Sequence, residues 1–152
     1  MTLKCLILLT SLFFYQNLSA QNVSVIDGDT LKINNKKIRL FGIDTPEINQ
    51  LCSKKELQYN CGIEAKEFLV ALIKGKQIKC LEKNIKKYGR IIGECFYDDV
   101  NINKLLVRSG HALAYRKYSM KYVDDENIAK KEKLGVWSGK FEKPWIWRRK
   151  KN

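Results

Sequence analysis

Arg39-Leu40-Phe41-Gly42-Ile43-Asp44-Thr45-Pro46-Glu47 gathers one arginine and two carboxylates into a single short segment at the end of a strand-like run. An Asp-Gly-Asp-Thr turn, Asp27 to Thr30, precedes it, and Tyr88-Gly89-Arg90 follows. Asp29 and Asp44 are hard anionic ligands of the kind that hold calcium or magnesium, and the Thr45 carbonyl adds a third oxygen. So small a set leaves room for water and a phosphate. Asp27 either joins that shell or shapes the turn through its side chain. Glu47 is placed to take a proton from water. Arg39 and Arg90 offer planar forks that pair with phosphate oxygens, where lysine would give charge alone. Taken together, the set is equipment for attacking a phosphodiester.

Such groups act only if the chain brings them together. In an unbroken strand Arg39 and Asp44 would point to opposite faces. A glycine inside a strand pattern commonly marks a bulge, so Gly42 predicts an extra residue that returns both side chains to one side. Pro46 then ends the pairing and leaves Glu47 at the mouth.

The surrounding pattern predicts the supporting elements. Val23 and Val25, Leu31 and Ile33, and Ile38 and Leu40 alternate between turn signals at Gly28 and Asn34-Asn35, which reads as a three-stranded meander. The polar stretch from Asn49 to Asn60 reads as a long loop. Gly62 to Lys74 carries apolar residues at a helical period and stops at Gly75. Strands are expected over Lys76 to Leu81 and Ile91 to Tyr97, joined by a basic loop from Lys83 to Arg90. Asn101 to Ser109 is a short helix stopped by Gly110, Ala112 to Tyr115 a last short strand, and Tyr122 to Leu134 a lysine-rich helix with acids first and lysines last. The fold class is α+β, and a small five-stranded Greek-key barrel of the oligonucleotide-binding (OB) type with three α-helices fits best.

The chain has 152 residues and a formal charge of +13, which favours polyanionic partners such as nucleic acid or an anionic envelope surface. Residues 1–20 read as a signal peptide: Lys4, an apolar run from Cys5 to Tyr15, and Leu18-Ser19-Ala20 before Gln21. The run is too short for a spanning helix, so no stable membrane insertion is expected after processing. Residues 21–152 then form one exported domain, secreted or periplasmic, with a basic tail. Cys52, Cys61, Cys80 and Cys95 remain, an even set in an oxidising compartment, and disulfides are the natural reading. Three pairings are possible; Cys52 with Cys61 and Cys80 with Cys95 are favoured because each closes a short loop. Without a Cys-x-x-Cys, and with His111 as the single histidine, zinc is the weaker reading. His111 and the tryptophans Trp137, Trp145 and Trp147 read as structural.

The ordered set Val25-Ile26-Asp27-Gly28-Asp29-Thr30, Arg39 to Glu47, Lys87-Tyr88-Gly89-Arg90 and Leu106-Val107-Arg108-Ser109-Gly110 resembles the staphylococcal nuclease, or thermonuclease, family from about Val23 to Trp137. The resemblance implies an OB barrel with three helices and hydrolysis of DNA and RNA with one calcium ion, leaving 3′-phosphate ends. It implies that Asp29, Asp44 and the Thr45 carbonyl hold the ion, that Glu47 is the general base, and that Arg39 and Arg90 clamp phosphate. Substrate contacts fall on Lys87, Tyr88, Arg116 and Tyr118. A monomer acting on single-stranded or locally melted DNA and RNA is expected. Lys86 replaces the family's usual acidic residue, and Arg116 stands where the family has a tyrosine. The cysteines and the tail Phe141 to Arg149 lie outside the staphylococcal pattern and resemble a cysteine-containing, exported bacterial branch.

Overall fold

The computed structural model describes residues 21–87 and 90–151, without the side chains of 84–87; the expected signal peptide and Tyr88 lie outside the described residues. Strands β1 (Val23–Asp27), β2 (Thr30–Ile33) and β3 (Lys36–Leu40) form the expected antiparallel meander. Asn34 and Asn35 take φ of 45° and 68°, the left-handed pair that a tight hairpin turn needs. Next come β4 (Ile43–Asp44), β5 (Leu51–Lys54), β6 (Leu57–Asn60) and α1 (Cys61–Ile73), followed by β7 (Lys79–Lys87), β8 (Arg90–Tyr97), β9 (Val100–Asn101) and α2 (Ile102–Arg108). The chain finishes with β10 (Leu113–Ala114), α3 (Val123–Lys131), a 3₁₀ turn (Gly135–Ser138) and α4 (Pro144–Lys151).

The main sheet runs β1-β2-β3-β8-β7, with β3 parallel to β8 and β9 added to β8. Among the described residues β1 and β7 do not pair, so the barrel stays partly open, as OB sheets commonly are. Alternation turns Leu31, Ile33, Ile38 and Leu40 inward, where α1 supplies Leu69 and Ile73 and α2 supplies Ile102, Leu106 and Val107. Each fully buried leucine there contributes roughly 2 kcal/mol over an exposed one. Leu69→Ala would cost about 2–5 kcal/mol, through lost burial plus the cavity left behind.

The cysteines pair as Cys52–Cys61 and Cys80–Cys95, and the second bond joins directly opposed residues of β7 and β8. Closing a loop of the second bond's length stabilises by about 3 kcal/mol, chiefly by restricting the unfolded chain. Both bonds point to an oxidising compartment, extracellular or periplasmic. No helix of the described residues is long and apolar enough to cross a membrane.

Three local features differ from the sequence expectations. The stretch expected as a loop before α1 is the hairpin β5–β6, whose turn residues Lys55 and Glu56 take positive φ without the usual Asn or Gly. The basic loop after Lys83 is mostly strand, because a register shift between Lys83 and Lys86 lets β7 continue to Lys87. A fourth helix, α4, occupies the basic tail: Pro144 sits at its first position, where a missing N–H costs nothing. Trp137, Phe141 and Trp145 pack the tail onto a small second core of Cys52, Cys61, Leu113 and Val136.

Candidate active site

The turn between β1 and β2 fixes the first carboxylate. Asp29 N–H donates to Asp27 Oδ1 at 3.1 Å, an Asx turn. A Cβ at Gly28 would lie 2.7 Å from Thr45 Oγ1, so glycine lets this turn close on the Thr45 segment. Thr45 N–H then points at Asp29 Oδ2, 3.4 Å away. In the β2–β3 register Thr30 faces Arg39, which carries the guanidinium to Asp29.

Gly42 does the rest by a turn rather than by a β-bulge. Phe41 and Gly42 form the turn between β3 and β4, with Gly42 at φ 74°, and the chain leaves the main sheet for the short β4–β10 ladder. The outcome is the expected one: Arg39 Nη2 is 2.7 Å from Asp44 Oδ1, while Nη1 is 2.6 Å from Asp29 Oδ1. Asp29 and Asp44 are both buried. Buried Asn103 of α2 braces the turn, donating to the Phe41 carbonyl at 2.9 Å while accepting from Cys95 N–H at 3.1 Å.

Glu47 lies on a pinned loop. Buried Gln50 accepts from Glu47 N–H at 3.2 Å, returns a backbone bond to the Glu47 carbonyl at 2.7 Å, and donates to the Glu142 carbonyl at 2.6 Å. Gly62, beginning α1, passes so close beneath that a Cβ would sit 1.8 Å from the Glu47 carbonyl oxygen. The Glu47 carboxylate faces a cleft of about 470 Å³ lined also by Asp27, Arg39, Arg90, Tyr115 and Tyr118.

Sequence reasoning missed one cation in this cleft. Arg148 of α4 forks onto Asp44, with Nη2 2.7 Å from Oδ2 and Nη1 3.1 Å from Oδ1, and Nη1 also lies 2.5 Å from Glu47 Oε1. Partial burial works to lower its proton affinity, but the bonds to Asp44 and Glu47 outweigh that and hold it firmly charged. The Trp-x-Trp-Arg spacing after Pro144 was the available signal: it puts Trp145 and Arg148 on one helix face. Tyr115, expected as strand, proves to be a cleft residue whose ring meets Tyr118 edge-on at 5.0 Å.

The remaining expected contacts divide. Tyr118 is on the cleft, and Arg90 enters it from the start of β8. Arg116 is elsewhere, in a second groove of about 840 Å³ with Lys130, Lys143, Trp145 and Arg149, and it pairs with Glu126 at 2.7 Å. The two depressions meet at Tyr115 and Arg148. The side chains of Lys87 and Tyr88 are not described, although the Lys87 backbone pairs with Arg90.

The electrostatics suit a cation. Burial raises the Asp29 carboxyl above the usual range, the Arg39 charge opposes this, and the neighbouring Asp27 and Asp44 carboxylates add to it. Among the described residues no group of three or more His, Cys, Asp or Glu side chains is arranged as a metal cage. Asp29 and Asp44, which meet at the Arg39 guanidinium, are hard oxygen donors of the kind that suits a divalent ion.

An OB-type sheet carrying a cleft lined by arginines and carboxylates, taken with the relatives that follow, marks a hydrolase of the nuclease class. The family model described as staphylococcal nuclease homologue matches residues 37–139, and the chain belongs to that family. It is 33% identical over 137 residues to an Escherichia coli protein named "Uncharacterized endonuclease", covering 85% of this chain and 84% of that one. It is 29% identical over 161 residues to a Shigella flexneri "Micrococcal nuclease", covering 94% and 87%. A probable staphylococcal-like nuclease of Oryza sativa is 34% identical over 116 residues, and the match spans 74% of this chain but 28% of the plant protein.

Proposed function

We propose that the protein is an exported, calcium-dependent nuclease that hydrolyses DNA and RNA with little sequence preference and leaves 3′-phosphate ends. The observation that carries this reading is that buried Asp29 and Asp44 each lie within 2.7 Å of the Arg39 guanidinium, which lines one cleft together with Glu47 and Arg90.

In this reading Asp29, Asp44 and the Thr45 carbonyl hold the ion. When bound, calcium supplies positive charge at a phosphate oxygen and a site for the attacking water. Glu47 would take a proton from the attacking water as the water oxygen bonds to phosphorus, while the bond to the 5′ oxygen breaks and that oxygen leaves as an alkoxide protonated by solvent. Arg39 spends two of its five N–H donors on Asp29 and Asp44, and its remaining donors serve the phosphate. Arg90 pairs with the phosphate from the opposite strand end, and both guanidinium contacts strengthen as charge builds on the equatorial oxygens.

Contacts to phosphate do not identify bases, which accounts for the low sequence preference. Tyr118 at the cleft and Arg116 in the adjoining groove extend the substrate path, Lys87 and Tyr88 precede Arg90 in the sequence as further contacts, and a single strand with unstacked bases suits the path best. Residues 1–20 act as the export signal, and 21–152 work as one monomeric domain. Digestion of single-stranded DNA in calcium and in chelator, comparing the parent with Glu47→Gln, tests the proposal. Calcium-dependent products from the parent alone are expected; equal products from both proteins would remove Glu47 as the base, and no products from oxidised parent would end the enzyme reading.

A further inference from the structure

Arg148 stands in a position that the hydrolytic reading leaves unexplained. It reaches the cleft from 104 residues beyond Asp44, on the last helix, and grips the carboxylate assigned above to the ion. Both Asp44 oxygens are engaged: Oδ1 accepts from Arg39 and Arg148, and Oδ2 from Arg148. Asp44 is 0% exposed, so without a cation nearby its charge depends on these two arginines.

The two arginines differ in how they are held. Arg39 sits inside the main sheet, between β2 and β8. Arg148 sits on a terminal helix docked by buried Pro144, by Trp145 stacked on Tyr115 at 5.3 Å, and by the Gln50 bond to the Glu142 carbonyl just before it. An ion using an Asp44 oxygen meets a guanidinium already on it, and two positive groups on one carboxylate repel each other. Of the two, Arg148 has the lighter anchorage.

We propose that Arg148 is a tethered counter-ion for Asp44 and Glu47 that an incoming divalent cation displaces, so that metal loading and docking of α4 oppose each other. The proposal rests on the metal-site reading above. Displacement also frees Glu47 from its bond to Arg148, which joins metal loading to release of the base. Arg148 is thus a positioning residue acting through two carboxylates. Coupling is reciprocal: whatever calcium does to α4 docking, removal of the Arg148 contact does to calcium affinity by the same factor.

The test titrates calcium chloride into metal-free protein by calorimetry, for the parent, Arg148→Ala, Arg148→Lys and Arg149→Ala. Arg148→Ala should bind calcium about tenfold tighter, a coupling of ordinary size, with Arg148→Lys in between and Arg149→Ala within about twofold of the parent. A merely structural role for Arg148 gives no tightening. A second measurement needs no variant: hydrogen exchange of the α4 amides in the parent should quicken at saturating calcium. Equal or weaker calcium binding by folded Arg148→Ala overturns the proposal, as does unchanged α4 exchange. If neither parent nor Arg148→Ala binds calcium, the metal-site reading falls with it; if the parent binds and the variant matches it, only this proposal falls.

Discussion

Two kinds of buried carboxylate occur in this molecule. Glu126 is surrounded by donors: Arg116 and Lys130 each lie 2.7 Å from Oε2, and Ala114 N–H donates to Oε1 at 3.1 Å. Glu94 is similar, with Lys121 at 2.5 Å and Lys83 at 3.1 Å. Burial raises their proton affinity, but the cationic hydrogen bonds more than offset it, so both hold their protons less tightly than usual. In the cleft the balance reverses. Buried Asp29 and Asp44 share Arg39, Asp44 and Glu47 share Arg148, Asp27 and Arg90 line the cleft beside them, and the Asp29 carboxyl is raised. Among the described residues, Glu126 and Glu94 are braces with two cationic partners each, whereas Asp29 has only the shared Arg39, too little to offset its burial.

That contrast can be broken most forcefully at Glu47. Glu47→Gln should lower turnover on single-stranded DNA by about 10³-fold, the range of a lost general base, while leaving the circular dichroism spectrum unchanged. Arg90→Lys keeps the charge and loses the fork, and a fall of about 10²-fold in kcat/KM is expected from steady-state assays.

His111 shows what burial does when no neighbour fully answers the charge. It stacks on Phe68 at 3.9 Å and accepts or donates at Ser109 Oγ, 2.9 Å from Nδ1. Burial lowers its pKa to about 4. Glu64 lies 3.7 Å away and would favour the charged ring, but its side chain is 50% exposed and well screened, so burial governs. As pH falls below about 6.5 the unfolded chain takes up this proton first, so the histidine's contribution is complete above pH 6.5 and is lost as pH falls towards 4. Urea denaturation across that range should show up to about 3 kcal/mol of loss that His111→Gln lacks. On the brace side, Glu126→Gln should cost about 2 kcal/mol, moderated because Arg116 and Lys130 are well exposed, and should leave kcat within about threefold.

Much of this site was legible because its members are local. Asp29, Arg39, Asp44 and Glu47 are close in sequence, and a glycine inside a strand pattern between Arg39 and Asp44 was sufficient to foresee their approach, although with φ 74° it works as a turn and not as a bulge. The meander and the first three helices followed from periods of two and 3.6. Arg148 was hidden by distance along the chain and by company: in a sequence of charge +13 another arginine in a basic tail stands out only through its spacing from Trp145, which does not say which carboxylate it meets. Hairpin β5–β6 was hidden because Lys55 and Glu56 take turn conformations that their types seldom advertise. Asn103 and Gln50, which hold the Phe41 turn and the Glu47 loop, are single amides whose partners only the fold reveals.

Calcium binding to Asp44→Asn, Glu126→Gln and the parent, followed by calorimetry on oxidised protein, tests the contrast most directly. The account predicts one site in the parent, the same site in Glu126→Gln, and its loss in Asp44→Asn. Undiminished binding by folded Asp44→Asn, or loss on changing Glu126 alone, would contradict it.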